Sequence, residues 1–231
     1  MRGSVRALLA AVALAALAAL GTPLVPERAF AGTVEGSVSL GPADLAIRDR
    51  SKPNPYVGQL NASAKAAAAV ASVDSSYGVA WIEGAAPGAG APEQPARMDQ
   101  LGQRFVPRIL AVVAGQTVEF HNSDNVFHDV FSYSPPKKFD LGRYPKGKSR
   151  SVTFAKAGAV QVYCDIHSDM RADIIVTPSR LFGMVGPSGR FHIDGVPPGS
   201  HTVKVWLPSG ERSATIEVPQ QGAALLPNLA P

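Results

Sequence analysis

The chain has 231 residues, 45% of them hydrophobic and 17% charged, with 22 Gly, 20 Pro, a formal net charge of +4 and a single cysteine. One cysteine excludes an internal disulfide, and so small an excess of positive charge does not point to nucleic acid as a partner. Frequent Gly and Pro between short alternating apolar runs favour an all-β protein of one or two small domains.

Residues 1–31 read as an export signal. Arg2 and Arg6 precede an apolar run over 7–20, and Ala29-Phe30-Ala31 is a small-x-small cleavage site. The run is short for a bilayer span, so no stable membrane span is expected after cleavage. Cleavage removes Arg2, Arg6 and Arg28 against Glu27, a net +2, which leaves +2 on the mature chain. The expected location is a bacterial periplasm or the cell exterior. In such a compartment a lone thiol is partner-seeking, reactive or metal-bound.

The first strand is expected over 32–40, where Val34, Gly36, Val38 and Leu40 share one face. Residues 41–76 carry no strong pattern. Alanines over 63–73 suit a turn or two of helix capped by Ser63, or equally a surface loop, and Asn61-Ala62-Ser63 matches a glycosylation sequon. Gly78-Val-Ala-Trp-Ile-Glu83 reads as a strand, and 85–95 as a Gly/Ala/Pro linker.

Strand signals then become dense. Residues 105–113 read as one strand, placed at an edge or bulged by Pro107, followed by a turn at Ala114-Gly115 and a strand at Thr117-Val-Glu-Phe120. His128 lies in the apolar run Asn125-Val-Phe-His-Asp-Val-Phe131. Residues 137–150 read as a polar loop, where Lys137, Lys138, Arg143, Lys146, Lys148 and Arg150 face only Asp140. This is a solvated loop or a docking surface for an acidic redox partner. Strands are expected at 151–154, 159–163 and 171–177. Beyond 178, short strands at 181–185, 190–193, 201–206 and 213–218 precede a loose tail over 220–231. They are too few to bury two faces without strands from elsewhere.

The chemistry concentrates in Tyr163-Cys-Asp-Ile-His-Ser-Asp-Met170. A thiolate, an imidazole and a thioether at three-residue intervals are ligands that copper prefers, and His128, 36 positions before the cysteine, supplies a second imidazole. His128, Cys164 and His167 with a weak axial Met170 compose the ligand set of a type 1 (blue) copper electron-transfer site, one copper per chain. A buried inert thiol is the plain alternative for Cys164, and loop solvation or packing for His167 and Met170. His121 fits a surface position or one just behind the ligands, and His192 and His201 fit solvent-facing strand positions. Met98 and Met184 fit a core.

The block 96–178 resembles the cupredoxin family, notably its plastocyanin-like and amicyanin-like members. The resemblance rests on Phe105-Val-Pro, Gly115-Gln-Thr-Val-Glu-Phe120-His-Asn122, His128 and Cys164-x-x-His167-x-x-Met170. It is closer still to exported "methylamine utilisation protein-like" cupredoxins, through Arg97-Met-Asp-Gln100, Phe139-Asp-Leu-Gly-Arg-Tyr-Pro-Lys-Gly147 and Ile166-His-Ser-Asp-Met-Arg171. It implies a Greek-key β-sandwich and copper held by His128, Cys164 and His167 with Met170 axial. His167 would then offer the surface edge for the electron, and the partners would be redox proteins. Asp129 departs from the Asn or Ser that many relatives carry after the first histidine. A carboxylate bonded to the cysteine loop there would add negative charge and lower the potential.

Phe182 to Trp206, with Pro187-Ser-Gly-Arg-Phe191 and Val196-Pro-Pro-Gly199, resembles the later strands of carboxypeptidase-regulatory-like, transthyretin-type sandwiches. The expected organisation is a discontinuous sandwich from 32–84 and 180–219, with the cupredoxin block inserted. Two rival functions stand beside electron transfer: an enzyme using Cys164 and a histidine as nucleophile and base, and a binding module whose flanking sandwich recognises a partner or polymer while copper is structural. No oligomeric state follows from the sequence.

Overall fold

The computed structural model describes residues 32–49, 75–84 and 90–230. The export signal, the alanine-rich segment 63–73, the sequon and part of the 85–95 linker lie outside them. Among the described residues the chain opens on β1 (Gly32–Ser37), a short helix α1 (Pro42–Asp49) and β2 (Gly78–Ile82). Nine strands follow: β3 (Ala96–Gln100), β4 (Phe105–Val106), β5 (Ile109–Val113), β6 (Thr117–Asn122), β7 (His128–Ser132), β8 (Phe139–Tyr144), β9 (Ser149–Thr153), β10 (Gly158–Cys164) and β11 (Arg171–Thr177). Five more close the chain: β12 (Phe182–Val185), β13 (Arg190–Val196), β14 (Gly199–Leu207), β15 (Gly210–Val218) and β16 (Ala223–Leu225). The protein is all-β, with one short helix among the described residues.

Strands β3 to β11 form two sheets, in the orders β5-β11-β10-β7-β8 and β4-β3-β6-β9. Alternation sets their faces. On β10, Val160, Val162 and Cys164 turn inward, and on β6 Val118 and Phe120 do so, meeting Met98, Phe105, Phe154, Met170 and Ile174 in one buried core. This is a Greek-key, cupredoxin-like sandwich. The single strand expected over 105–113 is two. Pro107 cannot donate to a ladder, and the chain leaves the sheet of β4 there and enters the other as β5, alongside β11.

The remaining strands build a second sandwich from sheets ordered β12-β2-β14-β15 and β13-β1-β16. Val34 and Val38 from the front of the chain share its core with Phe191, Ile193, Val203 and Val205 from the back. Gly183 lets β12 cross closely over the His192 carbonyl, where a Cβ would collide. Within the tail expected over 220–231, β16 pairs parallel with β1, and Ala224 and Leu226 are buried.

Two further differences have local causes. Residues 139–144, expected as part of a polar loop, form β8, whose alternation is masked by surface cations and by Gly142 at φ 62°. Helix α1 lies where no pattern was legible, and its N-terminus is a half capping box. Asp44 Oδ2 accepts from Gly41 N–H at 2.8 Å, while Asp44 Oδ1 accepts from Ser209 N–H at 2.9 Å.

β2 and β12 are neighbours, with Phe182 opposite Trp81, so the chain leaves the second sandwich and returns to it at adjacent strands. The two sandwiches meet through Val79, Trp206, Ile109 and Ile175, with Trp81, Ala111, Ala159, Phe182 and Met184 around them.

Candidate metal centre

β7 begins at His128 and β10 ends at Cys164, on neighbouring strands paired at Cys164 and Val130. The turn after β10 is held by Met170 N–H donating to the His167 carbonyl at 3.0 Å and Cys164 N–H donating to that of Met170 at 3.4 Å. These constraints bring three donor atoms together. Cys164 Sγ lies 3.7 Å from His128 Nδ1 and 3.6 Å from His167 Nδ1, and the two Nδ1 atoms are 3.1 Å apart. The set forms a metal-ligand constellation with His128 and Cys164 buried and His167 half-buried.

The donors fit an ion. A metal about 2.0–2.1 Å from imidazole nitrogen and about 2.3 Å from sulfur separates neighbouring ligands by roughly 3–4 Å, and these gaps fall in that span. Soft sulfur beside two imidazoles selects copper or zinc over harder cations. Met170 is buried in the same core as Cys164, its chain tied to His167. His121, His192 and His201 lie elsewhere, bonded to Ser149, set near Asp194 and bonded to the Pro197 carbonyl.

Asp124 completes the site and is absent from the sequence reading. Its carboxylate accepts from His128 Nε2–H at 2.9 Å, Gly102 N–H at 2.6 Å and Gln103 N–H at 2.8 Å. That bond fixes the ring and aims the Nδ1 lone pair at the other two donors. An acid four positions before the histidine was the available signal, within an Asn122-Ser-Asp124 turn. Asn122 locks this turn by donating to the carbonyls of Val126 and Tyr144 and accepting from Asp124 N–H.

Electrostatics in the metal-free protein follow from these contacts. Burial pulls the His128 imidazole down, but its bonds to Asp124 and Cys164 outweigh this and raise it to about 9. Burial alone would raise the Cys164 thiol. The His128 bond and backbone N–H groups of Asp129, Ile166 and His167 reverse that and favour thiolate. Burial and the neighbouring His128 charge lower His167, keeping it neutral.

Asp129 differs from expectation. Its links to the cysteine loop are main-chain ones, its N–H toward the Cys164 sulfur and its carbonyl accepting from Asp165 N–H at 3.0 Å, while its side-chain Oδ1 is buried without a partner. Burial and the nearby Asp140 carboxyl push the Asp129 carboxyl up, favouring its neutral form.

No family model matches the chain, and no curated protein matches it. Solved structures similar to it include a Cu-containing nitrite reductase (NirK) from Thermus scotoductus SA-01, at 31% identity over 40% of this chain and 24% of that one, with a TM-score of 0.36. A purple cupredoxin from Nitrosopumilus maritimus is similar at 21% identity over 36% of this chain and 99% of its own, TM-score 0.33. A point mutant of amicyanin in its reduced state follows at 23% identity over 42% and 98%, TM-score 0.35. The match thus spans about a quarter of the nitrite reductase and nearly the whole of the two small proteins.

Proposed function

We propose that this chain is an exported carrier of single electrons, with one type 1 copper held by His128, Cys164 and His167 and an axial Met170. The observation that carries the reading is the convergence of three soft and borderline donors, two of them buried, within 3.1–3.7 Å of one another. Bound copper would supply the one-electron couple. The chain supplies the rest: a rigid sandwich that holds the donors in place, Asp124 that orients His128, and three backbone amides that favour the thiolate. A site already near its ligated arrangement needs little movement when the charge changes.

Half-buried His167 is the route to the surface, next in the chain to Ile166 at 39% exposure, and Phe127, next in the chain to His128, is 56% exposed. Redox proteins are the expected partners. No helix among the described residues is long and apolar enough to cross a membrane, and export would rest on the signal at 1–31. The division into a discontinuous outer sandwich and an inserted copper sandwich is part of the proposal, supported by the pairing of β1 with β13 and of β2 with β12 and β14. A thiol-nucleophile enzyme fits poorly, since Cys164 is 4% and His128 0% exposed.

Addition of Cu(II) to the purified protein, followed by visible absorption and EPR, tests the reading. An intense thiolate-to-copper charge-transfer band, lost in Cys164→Ser, is expected. A chain that takes up Cu(II) without that band is not a type 1 copper protein.

A further inference from the structure

We propose that the joined edges of β8 and β9 form the docking face for an acidic protein that exchanges electrons with the site, an inference that rests on the carrier reading above. Between positions 137 and 156 the chain carries Lys137, Lys138, Arg143, Lys146, Lys148, Arg150 and Lys156 against Asp140 alone. Removing these seven cations and one acid from the totals of 22 and 18 leaves 15 cations and 17 acids elsewhere, a net −2. The whole positive excess of the molecule therefore lies in one hairpin and its flanks.

The fold gathers this charge. β8 is the last strand of one sheet and β9 the last of the other, and the two lie against each other, so both edges face the same side of the sandwich. Lys138, Arg143, Lys146, Lys148, Arg150 and Lys156 are exposed there. The acids facing them are Asp140, Glu119 on β6, and Asp129 and Asp165 near Arg143. Asp129 stands opposite Arg143 in the β7–β8 ladder and offsets it.

The hairpin is also fastened to the metal centre. Lys146 Nζ donates to Asn125 Oδ1 at 2.7 Å, Gly147 N–H to the Asn122 carbonyl at 2.7 Å, and Asn122 N–H to that of Lys148 at 3.0 Å. Tyr144 sits opposite His128 in the β7–β8 ladder. A partner drawn to these lysines arrives beside the 122–127 loop, whose exposed Phe127 adjoins His128. The second sandwich leaves this side open, because it packs on Ile109, Ile175 and Ala159 of β5, β11 and β10, toward the opposite edge of the sheet. Exposed cations around a less polar contact steer an anionic partner and speed encounter without tight binding.

The test uses the full chain loaded with copper and reduced, mixed with hexacyanoferrate(III). One electron passes from Cu(I) to Fe(III), giving Cu(II) and hexacyanoferrate(II), with no proton moved. The rate is expected to fall with ionic strength, and K138E/K148E is expected to lower it about tenfold at low salt, with absorption spectrum unchanged. The difference should collapse at high salt, where the Debye length is about 3 Å. Polyglutamate should slow the wild-type reaction and not the variant's. Calorimetry of polyglutamate on the metal-free chain reads the same surface without copper. A variant with wild-type rates and wild-type polyglutamate binding overturns the docking face and leaves the carrier reading intact. A chain without the charge-transfer band overturns the carrier reading itself. Uptake of wild-type chain by phosphatidylglycerol vesicles, lost in the variant and without competition from polyglutamate, overturns the partner class.

Discussion

Asp124 and His128 show how one hydrogen bond sets both geometry and proton competition. In the metal-free protein His128 is raised to about 9, so near neutrality a metal must displace a proton from it. Apparent copper affinity is expected to climb by up to about tenfold per pH unit below pH 9 and level off above it, as read by chelator competition. Stability runs the other way. A histidine whose folded value lies above its ordinary value of 6.5 stabilises the folded metal-free state fully below that pH and loses the contribution as pH rises through about 9. Asp124→Asn removes the orienting charge and is expected to weaken copper binding about 10–100-fold. The deficit should be largest above pH 9, where wild-type His128 has no proton left to lose, and smaller near pH 6, where the variant meets less proton competition. An unchanged affinity and pH profile would show that Asp124 only fastens the turn at Gly102 and Gln103. The cluster of donor side chains was legible because their spacing carries chemistry, whereas Asp124 was not, since an acid in a turn acquires meaning only when the fold sets it against a particular histidine nitrogen.

At the scale of elements, the strands with clean alternation were legible and those whose pattern is overwritten by another demand were not. β10 and β11 read directly, since Val160, Val162, Ala172 and Ile174 share one buried face. β8 was hidden because Asp140 and Gly142 are disfavoured in strands and, with Arg143, interrupt its alternation. Helix α1 was hidden for a different reason: its anchor is tertiary. Asp44 is fully buried and ties Gly41 at the helix start to Ser209 in the β14–β15 turn, 165 positions away. Pro42 at the first helical position and an acid in the first turn were the local signals. Asp44→Ala removes both acceptors and deprives two backbone donors, Gly41 N–H and Ser209 N–H, of their partner, at a cost of about 1–3 kcal/mol, measurable as a lower urea midpoint. Asp44→Asn retains an oxygen for one of the two donors and is expected to fall between. Equal stability of all three chains would show that α1 is not anchored through this carboxylate.

The described residues form two sandwiches sharing a small third core, and both tryptophans of the chain lie there: Trp206 buried against Val79, Ile109 and Ile175, and Trp81 half-buried beside them. The sequence suggested the discontinuous outer sandwich by arithmetic, since neither flank holds enough strands. It did not show that β2 and β14 would turn aromatic side chains onto the neighbouring sandwich, because Trp81 and Trp206 alternate with core residues of their own sheet and only packing decides which face meets a neighbour. Tryptophan fluorescence therefore reports this junction, while the thiolate-to-copper band reports the metal centre in the other core. If the junction couples the two sandwiches, urea unfolding of the copper-loaded protein gives coincident transitions by both probes. Trp206→Ala removes the largest side chain at the junction, at about 3–5 kcal/mol, and leaves Trp81 as reporter. The expected result is separation of the two transitions, with fluorescence changing at lower urea and the copper band persisting, because the ligands belong to a core that Trp206 does not enter. Transitions that already differ in the wild-type protein would show that the junction joins two independent units, and a simultaneous shift of both in the variant would show that the copper sandwich needs its outer neighbour to stay folded.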